Sequence, residues 1–327
     1  MKRFANLITV TVALTTIFSL LFTPGCAKKS PESTKVRVGY LPITADIPLF
    51  VAIEKGYYKK YGIEVEPIKF ASANEAMDAL MAGRSDSSIM IGFSTLFSIY
   101  EKDSTQFKIY QSAAETADKF TCRLLVRKDS DISSIPQLKG KKIGTYSGLT
   151  QLLNLKSVLE KFLDPDKDVT IIQVETKIQL QAFAAGQFYA LFTIDPYSTI
   201  ALENGTAKVL VDNPRFKYIL SPFPTCASVF SNEFLRKYPR LAKGIILAEN
   251  EAVDFIEANP SESAKLVSKY TPVEEGIALK CGTYEWWKLG NEDKAVVQKL
   301  SDIFVSQGAL KNKINSSDMF VSEKVLE

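Results

Sequence analysis

Histidine is absent from all 327 residues. A Ser–His–Asp triad, a histidine-ligated metal site and an imidazole pH switch are therefore excluded. Cysteine is scarce, with only Cys26, Cys122, Cys226 and Cys281, and no pair has CxxC spacing. The three that follow Cys26 are an odd number and cannot all pair within the chain, so this is not a disulfide scaffold. Neither sign of charge is in excess, with 40 Lys and Arg against 37 Asp and Glu. Nucleic-acid binding needs a clustered basic face. Short groups such as Lys139-Lys141-Lys142 read as solvated surface. Beyond Ala5–Phe22 no stretch is long and apolar enough to span a bilayer. No metal and no cofactor is expected.

What is present begins at the N-terminus. Met1-Lys2-Arg3 is basic, Ala5–Phe22 is apolar though diluted by Thr and Ser, and Thr23-Pro24-Gly25 leads to Cys26. A basic start, an apolar middle and a small residue before the cut read as a secretory signal, residues 1–25. Cysteine at the first mature position points to a lipidated Cys26 and a polar tether over 26–34. Thr23 stands where such signals usually carry Leu. A plain signal peptide or an uncleaved anchor is the alternative.

The hydrophobic content of 46% can fill a large core in the remainder. Val36–Tyr40 alternates apolar and polar residues, a strand signal. Pro48 opens an apolar helix that ends near Gly56 or Gly62. Ile63–Glu66 is a second strand. Ser72-Ala73-Asn74-Glu75 is a capping box, and its helix stops at Gly83. Ser88–Ile91 is a strand buried on both faces. The pattern then returns: strand Lys141–Tyr146, helix Leu149–Phe162, strand Val169–Ile172, helix Ile178–Ala185 closed by Gly186, and strand Ala190–Ile194. Each helix stop lies roughly 40 residues after the glycine of its first strand, Gly39 or Gly144, which indicates two similar units in tandem. Strands alternating with helices predict mostly parallel sheets flanked by helices. From about Ser231 the chain reads as largely helical.

Three segments then line up in order: Val38-Gly39-Tyr40-Leu41-Pro42-Ile43-Thr44, Pro48-Leu49-Phe50-Val51-Ala52, and Glu54-Lys55-Gly56-Tyr57-Tyr58. With Ala79–Gly83, Leu138–Gly144 and Asp195-Pro196-Tyr197 they make the chain resemble a type II periplasmic substrate-binding protein. The branch is the one serving ABC importers of nitrate, sulfonates, taurine and thiamine-precursor pyrimidines. The resemblance spans about residues 35–320. It departs at Tyr189, where an acidic residue is usual, and at Ser147-Gly148, which reverses the common order. It implies an α/β fold of two lobes, each a mostly parallel sheet flanked by helices. Lobe 1 is expected at 35–128 plus 226–320 and lobe 2 at 129–225. It also implies that Cys122 and Cys226 lie close together near the hinge, bonded or as two buried thiols.

In open α/β sheets ligands bind beyond the carboxyl ends of the strands. Four loops qualify: Leu41–Asp46, Gly92–Thr95, Tyr146–Gln151 and Asp195–Tyr197. The expected ligand-binding residues are Pro42, Thr44, Asp46, Phe93, Ser94, Thr95, Glu115, Tyr146, Ser147, Thr150, Asp195 and Tyr197. The hydroxyls also read as ordinary caps, and the aromatics as core. Trp286-Trp287 read as structural, with a cover over the cleft edge as the functional alternative. No Arg lies in the four loops, which argues against a multiply charged anion. The acidic side chains favour an amine-bearing or heterocyclic solute. The resemblance implies an extracytoplasmic solute-binding lipoprotein rather than an enzyme, monomeric and held at the cell envelope by its lipid. Its partners are a small-molecule solute, an ABC permease and the ATPase of that permease. A ligand sensor without transport is one alternative. A synthase of the same fold that consumes its own histidine is another, and this chain has none to spend.

Overall fold

The alternation of apolar residues along Lys35–Tyr40 (β1) buries Val36 and Val38 completely. Glu64–Lys69 (β2) and Ser87–Gly92 (β3) flank β1, both parallel to it. The computed structural model describes Thr34–Glu327, which form one compact unit. The expected signal sequence, Cys26 and the expected tether as far as Ser33 lie outside the described residues. Half of the capping box expected at Ser72 forms: Ser72 Oγ accepts from Glu75 N at 3.2 Å, while the Glu75 carboxylate reaches past the Ser72 amide to accept from Ala71 N at 2.9 Å. The helix it opens, Ala73–Met81, ends before Gly83 at φ +67°, a left-handed value that glycine adopts without strain.

Two mixed sheets result. The first continues from β3 into Phe223–Ser231 (β10), Phe107–Glu115 (β4) and Glu285–Lys288 (β11), all antiparallel neighbours. The second has a parallel half made by Lys142–Tyr146 (β6), Thr170–Val174 (β7) and Ala190–Ile194 (β8). Its antiparallel half adds Cys122–Arg127 (β5) and Ala207–Asp212 (β9). The parallel halves are the ones strand–helix alternation dictates. The antiparallel halves are organised around β10 and β5, which enter from the other sheet in a direction no local pattern encodes.

The chain passes from the first sheet to the second through 116–121 and returns through 213–222. The expected exchange points at 128/129 and 225/226 move accordingly: β5 pairs inside the second sheet and β10 inside the first. Each crossing is a short link between long strands, so residues counted with one lobe by sequence position are hydrogen-bonded into the other. Trp286 and Trp287 lie in β11 opposite Ala113 and Ser112, and their rings are buried in the two hydrophobic clusters on either face of the first sheet. No helix among the described residues is long and apolar enough to cross a membrane.

Candidate functional site

The strand ends of both sheets converge on the crossings. After β3, Gly92 caps the helix Phe93–Lys102; after β6, Gly148 caps the helix Leu149–Leu159. The first turn of a helix leaves amides without intrahelical acceptors. Ser94, in the first of these turns, hydrogen-bonds Thr150 in the second. The N-termini of two helices from different sheets thus meet through a pair of hydroxyls. Each end carries roughly half a positive charge, which makes the junction a place for an anion.

The other expected residues are placed as follows. Phe93 packs against Phe97 in the core of the first sheet, and Thr95 is half-buried beside it. Pro42 and Thr44 are half-buried in the loop after β1. Ser147 is exposed, its backbone N–H held by Val174 O at 2.9 Å. Tyr146 ends β6 beside Gln151, and burial raises its phenol. Tyr197 starts the helix after Asp195, and partial burial raises its phenol too.

The three carboxylates behave differently from ligand contacts on a wall. Asp195 is buried and takes hydrogen bonds from Arg123 Nη1 at 3.1 Å, Thr199 N at 3.1 Å, Thr199 Oγ1 at 2.7 Å and Gly282 N at 2.6 Å, and one from Ser198. Glu115 ends β4 and accepts from Thr121 N at 2.9 Å and Cys122 N at 3.0 Å on the outgoing crossing. On the returning segment Arg215 gives it a forked pair, Nε to Oε2 at 2.8 Å and Nη2 to Oε1 at 2.6 Å. Asp46 is wholly buried; its Oδ2 accepts from Leu41 N at 2.7 Å and so fixes the loop after β1. Burial pushes Asp46 well above the usual carboxylate range, and Glu249 nearby adds to the shift. Internal partners therefore use Asp195 and Glu115, and Asp46 through Oδ2 alone, its buried Oδ1 having no partner.

Arg215 is the residue that sequence reasoning missed. It lies in the short helix Pro214–Tyr218 of the returning segment, outside the four strand-end loops, and is 4% exposed. The only available signal was an arginine between Pro214 and Phe216, and that is weak. Its guanidinium stacks over Phe223 at 5.2 Å. Cys122 and Cys226 are both free and buried; each feels the charges of Arg215 and Glu115, and burial pushes the Cys226 thiol up to about 12. No group of three or more metal-ligating side chains occurs among the described residues. Two open grooves of about 530 and 620 Å³ lie elsewhere, along the C-terminal segment at Arg240, Lys243 and Lys324 and at Lys108 and Phe320.

Two sheets, two crossings and a junction of strand ends between them define the fold of periplasmic binding proteins. The crystal structure of the periplasmic aliphatic sulphonate binding protein SsuA from Escherichia coli matches with a TM-score of 0.75 at 18% identity, over 89% of this chain and 93% of that one. The chain belongs to the NMT1-like family, which matches residues 29–270. A Brucella abortus (strain 2308) protein named as a binding protein is 26% identical over 322 residues, 93% of this chain and 95% of that protein. A Saccharomyces cerevisiae protein, 4-amino-5-hydroxymethyl-2-methylpyrimidine phosphate synthase THI13, is 21% identical over 252 residues, 74% of this chain and 72% of that protein.

Proposed function

We propose that this chain is the solute-binding lipoprotein of an ABC importer and captures a small polar or monoanionic solute between its two sheets. The observation that carries the reading is the junction of the Phe93 and Leu149 helices at Ser94 and Thr150. A site shared by two halves of a chain can open and close by movement at the crossings. The halves in this reading are about 35–115 plus 223–320 and 122–212. Thr44, Thr95, Tyr146, Ser147 and Tyr197 supply the remaining polar wall, with Pro42 and Phe93 as apolar support. The Brucella relative's name supports binding over catalysis. The yeast relative's name is that of a synthase; a reaction that spends the enzyme's own histidine cannot run here, since the chain has no histidine. The protein is exported, anchored through Cys26 and works as a monomer beside a permease and its ATPase.

Native mass spectrometry of protein purified from its own cells, followed by calorimetry with nitrate, bicarbonate, ethanesulfonate, taurine and an aminopyrimidine, tests the reading. A co-purified small solute, or micromolar or tighter binding of one of these probes, is expected. Neither result with folded protein defeats it. Release of Cys26→Ser from the membrane fraction is expected of a lipid anchor; acylated, membrane-bound Cys26→Ser protein refutes the anchor alone.

A further inference from the structure

Lys60 meets Glu251 at 2.7 Å and Lys269 meets Glu54 at 2.6 Å. In the groove at Phe320, Lys294 meets Glu292 at 3.2 Å and Lys108 donates to Asp318 O. The groove on the other side of the C-terminal segment is different. Arg240, Lys243 and Lys324 line it, and their charged groups have no ion pair and no hydrogen-bond acceptor among the described residues. Arg240 and Lys324 are exposed and Lys243 is half-buried. Glu327 is the one acidic residue on that lining. Arg240 and Lys243 also stand in the first turns of the Pro239–Ala258 helix, the end whose dipole disfavours cations. Their placement costs the fold rather than supporting it, and what they suit is an external negative charge. Beside them Tyr61, Leu247 and Val325 give the groove an apolar floor, in a space of about 530 Å³.

The groove lies where the chain leaves for its anchor. Thr34 O accepts from Glu64 N at 2.9 Å. Just before Glu64, Tyr61 and Ile63 press on the helix at Gly244, where a Cβ would come within 2.7 Å of Ile63 Cδ1 and 3.3 Å of Tyr61 Cβ. The stretch from Cys26 to Ser33 reaches at most about 28 Å when fully extended. A lipid on Cys26 thus keeps the groove close to the bilayer. We propose that the groove docks on the anionic phospholipid headgroups of that bilayer, with phosphate against Arg240, Lys243 and Lys324 and the glycerol and first acyl carbons against the apolar floor. The tether favours a lipid over an acidic protein segment, because it holds the lipid permanently within reach. β1 runs from this end of the sheet to the loop Leu41–Asp46, six residues or about 20 Å. Docking therefore lays the first sheet down by its amino-terminal strand ends and leaves the ligand site facing away from the membrane, open to solute. This inference rests on the anchor reading above and adds an orientation to it.

The test is flotation of the full-length Cys26→Ser chain, which lacks the lipid, with vesicles of phosphatidylcholine alone or of an equal mixture with phosphatidylglycerol. Tighter binding to the mixed vesicles, lost at high salt, is expected. One Lys or Arg near an anionic surface is worth roughly a fivefold change in affinity. The triple variant Arg240→Gln, Lys243→Gln, Lys324→Gln is therefore expected to weaken mixed-vesicle binding by about 100-fold. Glutamine keeps these surface positions polar, so folding is not at stake. A second triple variant, Lys128→Gln, Lys161→Gln, Lys177→Gln, changes exposed lysines around the second sheet. It carries the same change of net charge and is expected to lose far less. Equal binding of the parent to both vesicle compositions, or equal losses in the two triple variants, overturns the proposal. So does a groove that takes poly-glutamate but not mixed vesicles, which would assign it to an acidic protein segment. The anchor is judged separately, by release of Cys26→Ser from the membrane fraction under a high-salt wash that removes any groove-held protein. Solute capture is judged by calorimetry, and no outcome with vesicles bears on it.

Discussion

Glu249 is the clearest case of a single residue set by its surroundings. It lies in the long helix Pro239–Ala258, fully buried, and its Oε1 accepts from Tyr58 at 2.8 Å and Tyr110 at 3.1 Å. Oε2 has no partner. Burial dominates, and the carboxyl is pushed up to about 7 from 4.5. The folded state then holds a proton that the unfolded state has lost. Stability is fully present below about pH 4.5, falls as the pH rises towards about 7, and is level above. The span amounts to about 3 kcal/mol. Asp46, raised in the same way, adds a fall of the same sign. Glu249→Gln is therefore expected to be more stable than the parent at pH 8 by a few kcal/mol on that scale, with little difference at pH 4.5. Urea unfolding at the two pH values decides it, and equal midpoints for both proteins at pH 8 would dismiss the argument. Acidic residues such as Asp46, Asp195 and Glu115 were visible in the sequence as chemistry near a site. Whether Asp195 and Glu115 were turned inward or left open depended on partners far along the chain, Arg123, Gly282 and Arg215.

At the scale of elements, the tandem unit marked by Gly39 and Gly144 has a packing reason. A Cβ on Gly39 would come within 2.9 Å of the Phe70 ring, and one on Gly144 would collide with the Phe188 ring. In both units an aromatic side chain occupies the space the glycine leaves open. Phe188 is fully buried and cannot swing aside. Gly144→Ala is expected to cost about 1–3 kcal/mol by overpacking, read from the shift of the urea midpoint; an unshifted midpoint would mean the ring relaxes freely. The Leu149 helix gives a second case. Thr150, Leu153, Asn154 and Ser157 fall on one stripe, and that stripe faces the first sheet. Thr150 meets Ser94, Leu153 joins the cluster of Phe93 and Phe97, and Ser157 accepts from Gln307 Nε2 at 2.6 Å. Asn154, in the middle, is buried with neither amide atom partnered. Asn154→Leu keeps the shape and removes two unsatisfied groups. It is expected to raise stability by about 1 kcal/mol or more, and a loss instead would show that the amide is paired by water. The helix was legible as amphipathic, with Leu149, Leu152, Leu153, Leu159 and Phe162 read on or near one face, although Leu149 and Phe162 are exposed. Its second, polar stripe was not, because a stripe facing another lobe looks like solvent-facing surface in sequence.

On the scale of the whole molecule, three segments tie the halves together. Asn213 Nδ2 donates to Thr116 O at 2.6 Å, joining the two crossings, and Glu115 with Arg215 joins them again. The third is the stretch around Gly282, whose amide donates to Asp195 and on which a Cβ would collide with the Phe120 carbonyl oxygen. No side chain fits there. Gly282→Ala is expected to cost more than about 3 kcal/mol or to displace the segment, with faster hydrogen exchange at 116–121 as the local readout. Unchanged exchange and stability would show that the strap is not a tie.

The sequence by itself determined the parallel half of each sheet, the helix caps and stops, and the loops where a site could form. These follow from local periodicity, capping oxygens and glycine conformation. It also excluded histidine chemistry outright. Only the tertiary structure decided where the chain crosses, which strands run antiparallel, and that Asp195 and Glu115 are turned inward while Arg215 is brought to the junction. Those outcomes depend on contacts between residues about a hundred positions apart, such as Glu115 and Arg215, and local pattern carries no information about such pairs.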